Sequence, residues 1–129
     1  YNAEADVKQA PQRAAQARQQ ASDIKLKKAY TNSRTAVIKK RDALAGIRKQ
    51  IVFEQEQLKQ LQNDRVLFVR QEREHFRKGE TVPAKLKTML DNNQKNMVAK
   101  KEYIQSLQTR YRNTAAEYDR IITRLKAME

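Results

Sequence analysis

His75 is the chain's single histidine. Glu72, three residues earlier, would share its face of a helix, and Glu74 adjoins it. An imidazole beside a carboxylate can hold a metal or move a proton. Here the pair lacks company. The chain has no cysteine and no second histidine, so the usual zinc and iron–sulfur ligand sets are missing. A surface or seam-end histidine is the expected reading. Glu54 and Glu56 stand two apart and fall on different helix faces, which unfits them as an acid–base pair. Glu102 beside Lys100 and Lys101 reads as a solvated stretch. Two glycines cannot build a glycine-rich phosphate loop. These residues predict no enzyme activity: no catalytic, cofactor or metal site, and no small-molecule substrate.

The other chemistry on offer is charge. Lys25, Lys27 and Lys28 form one dense basic cluster, and Lys39, Lys40 and Arg41 another. The formal net charge is +13. Both clusters are candidate contacts for a polyanion, and non-specific binding at low salt is expected of so basic a chain. Against a dedicated nucleic-acid role, acids are interspersed with the bases and aromatics are few. No zipper with an attached basic region appears. An anionic membrane surface would also attract this charge. The apolar stripe is narrow and lacks tryptophan, which suits another helix better than a bilayer.

What positions these residues is a long-helix composition. Of 129 residues, 33% are charged and only four are glycine or proline. Such a profile belongs to long helices and coiled coils, or to disorder. Periodicity decides for helix. Tyr30, Val37, Leu44, Ile51 and Leu58 are spaced by seven, and Ile47, Leu61 and Phe68 fill companion positions. Lys40, Glu54 and Arg65 also land on this seam, where long stems are expected to lie along it with charges reaching water. A second heptad series comprises Leu90, Met97, Ile104, Tyr111, Tyr118 and Leu125. Its companions are Leu86, Leu107, Ile121 and Met128, with Asn93, Lys100 and Thr114 as polar members.

Between the two series lies the stretch FRKGETVPAKL, Phe76 to Leu86. Gly79 can take the left-handed conformation that ends a helix. Thr81 can cap the next one, with Pro83 in its first turn. So short a turn makes the helices antiparallel neighbours. Phe68 is then expected to face the Leu90 region, Leu61 the Met97 region, Ile51 the Leu107 region and Val37 the Ile121 region.

The predicted fold is all-α: a single-domain, long antiparallel two-helix coiled-coil hairpin with an overhanging N-terminal helical arm. A compact three-helix bundle is the alternative. Residues 1–10 are expected to fray. A first helix spans 11–77, entered at Pro11, with 11–29 overhanging. The turn takes 78–82 and the second helix 83–129. The arms would measure roughly 100 Å and 70 Å at 1.5 Å per residue. In the overhang, Ala10, Ala14, Ala17, Ala21 and Ile24 keep three–four spacing, out of phase with the later seam. The shift falls at KLKKAY. Ala14, Ala17, Ala21 and Ile24 are the candidate partner surface, for another protein or a second copy of the chain.

The functional expectation is a non-enzymatic interaction, scaffold or assembly protein acting through helix–helix contacts. A nucleic-acid or polyanion binder is the alternative, and a bacterial envelope or secreted helical protein is a second. No signal-peptide pattern opens the chain and no run approaches the ~18 apolar residues of a membrane span. Beginning at Tyr1 rather than Met fits a processed or excised chain; that feature and the lack of cysteine lean toward the bacterial periplasm or secretion.

Overall fold

A computed structural model of the chain describes residues 2–129. It is all-helical, with no strand among the described residues. The helices are α1 (Ala3–Tyr30), α2 (Ser33–Arg77) and α3 (Ala84–Ala127). The dominant packing is α2 against α3. Contacts divide the chain into two units: Leu44–Asn113, and the chain up to Ala43 together with Thr114–Glu129.

The Leu44–Asn113 unit is a hairpin. Gly79, at φ 72°, closes α2. The Glu80 N–H donates to the His75 carbonyl at 2.9 Å, and the Gly79 N–H to the Phe76 carbonyl at 3.1 Å. That pair of bonds is the Schellman arrangement, which satisfies two carbonyls left open by the helix end. The start of α3 departs from expectation. Helix begins at Ala84, and the Pro83 carbonyl accepts the first bond, from the Lys87 N–H at 3.1 Å. Glu80–Pro83 is non-helical, and Val82 is buried within it. A non-helical entry anchored by the buried Val82 thus replaces a cap by Thr81.

The two arms run antiparallel, as cross-helix bonds show. Leu61 bonds Asn93, Glu54 bonds Lys100, Gln50 bonds Tyr103 and Arg48 bonds Tyr111. Phe68 and Met89 line one groove. This is the register the heptads predict. Leu44, Ile47, Leu86, Ile104 and Leu107 are buried between the arms. Every predicted seam position of α3 in this unit is buried or half-buried, Asn93 and Lys100 included.

The second unit brings together α1, the start of α2 and the end of α3. Here the single helix expected over 11–77 is two helices. α1 ends where the Thr31 N–H bonds the Lys27 carbonyl. Thr31 takes φ 69°, ψ −55°, and the Asn32 N–H bonds the Tyr30 carbonyl at 2.7 Å. This is a γ-turn of the positive-φ kind, strained for a β-branched residue. The Asn32 side chain then accepts from the Thr35 N–H at 2.9 Å and caps α2.

Three further expectations change. Helix α1 already begins at Ala3, where Asn2 caps it by accepting from the Glu4 and Ala5 N–H groups; Tyr1 lies outside the described residues. Pro11 lies inside α1, where its missing N–H leaves the Val7 carbonyl without its usual donor. Val37 is 46% exposed, while Ala36 is fully buried. At this level α2 has two helical neighbours rather than one, so its inward arc turns from Val37 to Ala36.

Candidate interaction surfaces

The seam of the Leu44–Asn113 unit carries a polar step. Glu54 is buried, at 7% exposure. Its carboxylate accepts from the Lys100 ammonium at 2.6 Å, and the Gln57 side-chain carbonyl accepts from the same ammonium at 2.6 Å. The expectation that the Glu54 charge reaches water is therefore corrected: it is sequestered with a cation from the facing helix. Two turns on, the buried Asn93 amide donates to the Leu61 carbonyl at 2.9 Å. Arg65 reaches the Asn93 side-chain oxygen only at 3.5 Å. Buried polar steps of this kind add little net stability but penalise slipped registers, where each group would lose its partner.

His75 pairs with Glu80 beyond the turn, at 2.9 Å, rather than with Glu72. It serves the hairpin end. No group of three or more His, Cys, Asp or Glu that could hold a metal occurs among the described residues.

The end of α1 is fastened to its unit at Asp23 and at Tyr30. Asp23 accepts two hydrogen bonds from the Arg124 guanidinium, each 2.8 Å. That fork holds the Asp23 carboxyl down to about 2, against partial opposition from burial and with help from Gln19. Tyr30 meets Tyr118 edge-on, ring centroids 6.2 Å apart. Burial, then the neighbouring Tyr118, pushes the Tyr30 phenol up. Leu26 between them is half-buried. Beside these, Glu129 accepts from the Ser33 N–H at 2.8 Å and the Ser33 hydroxyl at 3.0 Å. A carboxylate there complements the helix N-terminus, and the Ser33 N–H bond is the main cause of its lowered pKa.

The 11–29 overhang therefore does have partners within the chain, at Asp23 and Ala29. What lacks them is a face. Ala10, Ala14, Ala17, Ala21 and Ile24 are all exposed, Ile24 at 57%. At 3.6 residues per turn this face is centred roughly 170° from the Asp23–Leu26–Tyr30 face. The docked end of α1 thus leaves its alanine side turned away. Extending the same spacing toward the N-terminus adds Ala3 and Val7, the latter 71% exposed.

The basic clusters are placed differently from one another. Lys39 donates to the Ala29 carbonyl at 3.0 Å and lies over the Tyr30 ring. Lys40 pairs with Asp119 at 2.6 Å, and Arg41 lies 3.5 Å from Asp42. That cluster is spent largely on contacts within the chain. Lys25, Lys27 and Lys28 are exposed on α1.

Sequence reasoning missed the break at Thr31 and the Asp23–Arg124 fork. The first had a signal: Thr31-Asn32-Ser33 is a run of capping residues beside the phase shift at KLKKAY. The second had none, since its partners stand 101 residues apart. No family model, curated protein or solved structure matches the chain.

Proposed function

We propose that this is a non-enzymatic helical interaction protein, which joins other helices through the free face of α1. One observation carries the reading. A regular helix exposes a three–four apolar repeat from Ala3 to Ile24, with no residue of that face buried. Such spacing has little use on a solvated helix and is the pattern by which helices pack lengthwise. The fork at Asp23 and the tyrosine pair at Tyr30 hold the opposite face, so the free face is presented rather than folded away.

The test is the double substitution Ala17→Glu with Ala21→Glu. Full-length chain and variant are sized by light scattering, alone and in extract of the source cells. The intact chain is expected in species heavier than the 15.1 kDa monomer. The variant should stay out of them while keeping its helical circular dichroism. Equal behaviour of the two chains would sink the reading.

A further inference from the structure

We infer that the free face of α1 pairs with the same face of a second copy of this chain, antiparallel and in one register. The inference rests on the helical-interaction reading above and names its partner. The face runs Ala3, Val7, Ala10, Ala14, Ala17, Ala21, Ile24, Lys28, alternating steps of four and three without interruption. All eight residues are exposed. When two such helices lie antiparallel, one register brings every layer into coincidence. Val7 of each protomer meets Ile24 of the other, Ala10 meets Ala21, and Ala14 meets Ala17 about the two-fold axis. Two branched aliphatic layers then close the ends of a short alanine core. Alanine layers let the helix axes approach to the low end of the usual ~8–10 Å.

Charge selects the same register independently. The residues flanking the face are Glu4, Pro11, Arg18 and Lys25 on one side, and Asp6, Arg13, Gln20 and Lys27 on the other. In an antiparallel pair, like flanks face each other. Glu4 of one protomer then stands opposite Lys25 of the other, and Asp6 opposite Lys27, each occurring twice by symmetry. Pro11 falls opposite Arg18 and Arg13 opposite Gln20, with no like-charge encounter. A parallel, in-register pair instead sets Arg13 against Arg18 and brings no acid to a base. Within a single chain Asp6 is held by Arg13 on its own helix; its second carboxylate oxygen remains for Lys27. The acidic start and basic end of α1 thus complement a reversed copy of themselves, and charge complementarity of this kind fixes orientation and partner choice.

The absence of cysteine makes the register directly testable, because each introduced thiol is unique. The purified full-length chain is expected to dimerise in sedimentation equilibrium over a micromolar concentration series. Mixed Ala14→Cys and Ala17→Cys chains should cross-link to each other under mild oxidation, well ahead of either variant alone. Glu4→Lys with Asp6→Lys should weaken the dimer by about tenfold or more, as should Lys25→Glu with Lys27→Glu. An equimolar mixture of the two charge variants should restore it.

A chain monomeric throughout the series overturns the inference, as does a dimer in which Ala14→Cys cross-links mainly to itself. Failure of the mixed charge variants to recover overturns it too. A monomer in isolation that still enters heavier species in extract, through the Ala17/Ala21 face, would overturn self-pairing and leave the interaction reading standing. Loss of both behaviours would remove both.

Discussion

Asp23 is the residue whose ionisation matters most to how α1 is held. Its carboxyl is lowered from 3.8 to about 2 by the Arg124 fork. A folded-state value below the unfolded one means stabilisation that is complete above about pH 4–5 and lost as pH falls toward 2. The docked end of α1 is therefore expected to loosen across that acid window. Glu74, held by Arg77, and Glu129, held by Ser33, are also lowered and titrate in the same direction. Asp23→Asn isolates the first contribution. Its thermal midpoint should be lower than that of the parent at pH 7 and should change less between pH 4 and pH 2. Equal slopes for the two chains would show that the fork does not anchor α1. Glu54 teaches a different lesson at the same scale. Its heptad position is plain in the sequence, but whether a seam charge reaches out or pairs inward depends on the facing residue. Lys100 decides that here, through a register fixed only once the arms are aligned.

At the scale of elements, two of the described residues take positive φ, each at the end of a helix. Gly79 ends α2 at φ 72°, and Thr31 ends α1 at φ 69°. Glycine reaches this region without steric cost and a β-branched residue does not. A Cβ added at Gly79 meets nothing within 4 Å, so backbone strain alone governs the change. Gly79→Ala should cost about 1 kcal/mol or somewhat more in chemical denaturation. Thr31→Gly should move the other way, relieving strain of about 1 kcal/mol against a small loss from greater freedom in the unfolded chain. If both substitutions destabilise alike, the Thr31 turn is not strained. The same contrast explains what could be read in advance. The hairpin end was legible because its breakers are glycine and proline, residues with few other uses in a helical chain. The α1–α2 break was marked only by the weaker signal of the Thr31-Asn32-Ser33 run, because a threonine occupies the position that glycine would advertise. The α3 seam was legible throughout, having one helical neighbour and a clean repeat in the Leu44–Asn113 unit. At the start of α2 the repeat misled by one residue, and Ala36 took the place of Val37.

For the whole molecule, the even spread of positive charge has a structural reading that composition alone does not give. Segment by segment the chain carries about +3 to +4. Much of the basic cluster at Lys39–Arg41 is engaged with Ala29, Tyr30, Asp119 and Asp42. The cluster on α1 stays exposed, beside the face to which the interaction reading assigns the partner. Its place there is consistent with setting orientation across an interface, a role that would weaken with salt as the charges are screened. The candidate surface itself was only half legible. Ala14, Ala17, Ala21 and Ile24 could be picked from spacing, but that they oppose the docked face depends on Asp23 finding Arg124, a contact made by folding and not by pattern.

The pairing of Tyr30 with Tyr118 also gives the molecule a built-in optical probe. The chain has no tryptophan and five tyrosines, so its near-ultraviolet signal is dominated by phenol rings. Tyr103 and Tyr111 are tethered within the hairpin by Gln50 and Arg48. The edge-on pair instead couples a ring on α1 to one on α3, at 75° between planes. Release of α1 would uncouple those two chromophores while leaving the α-helical spectrum almost unchanged. The docked and undocked chain should therefore differ in colourless light that no label has to supply.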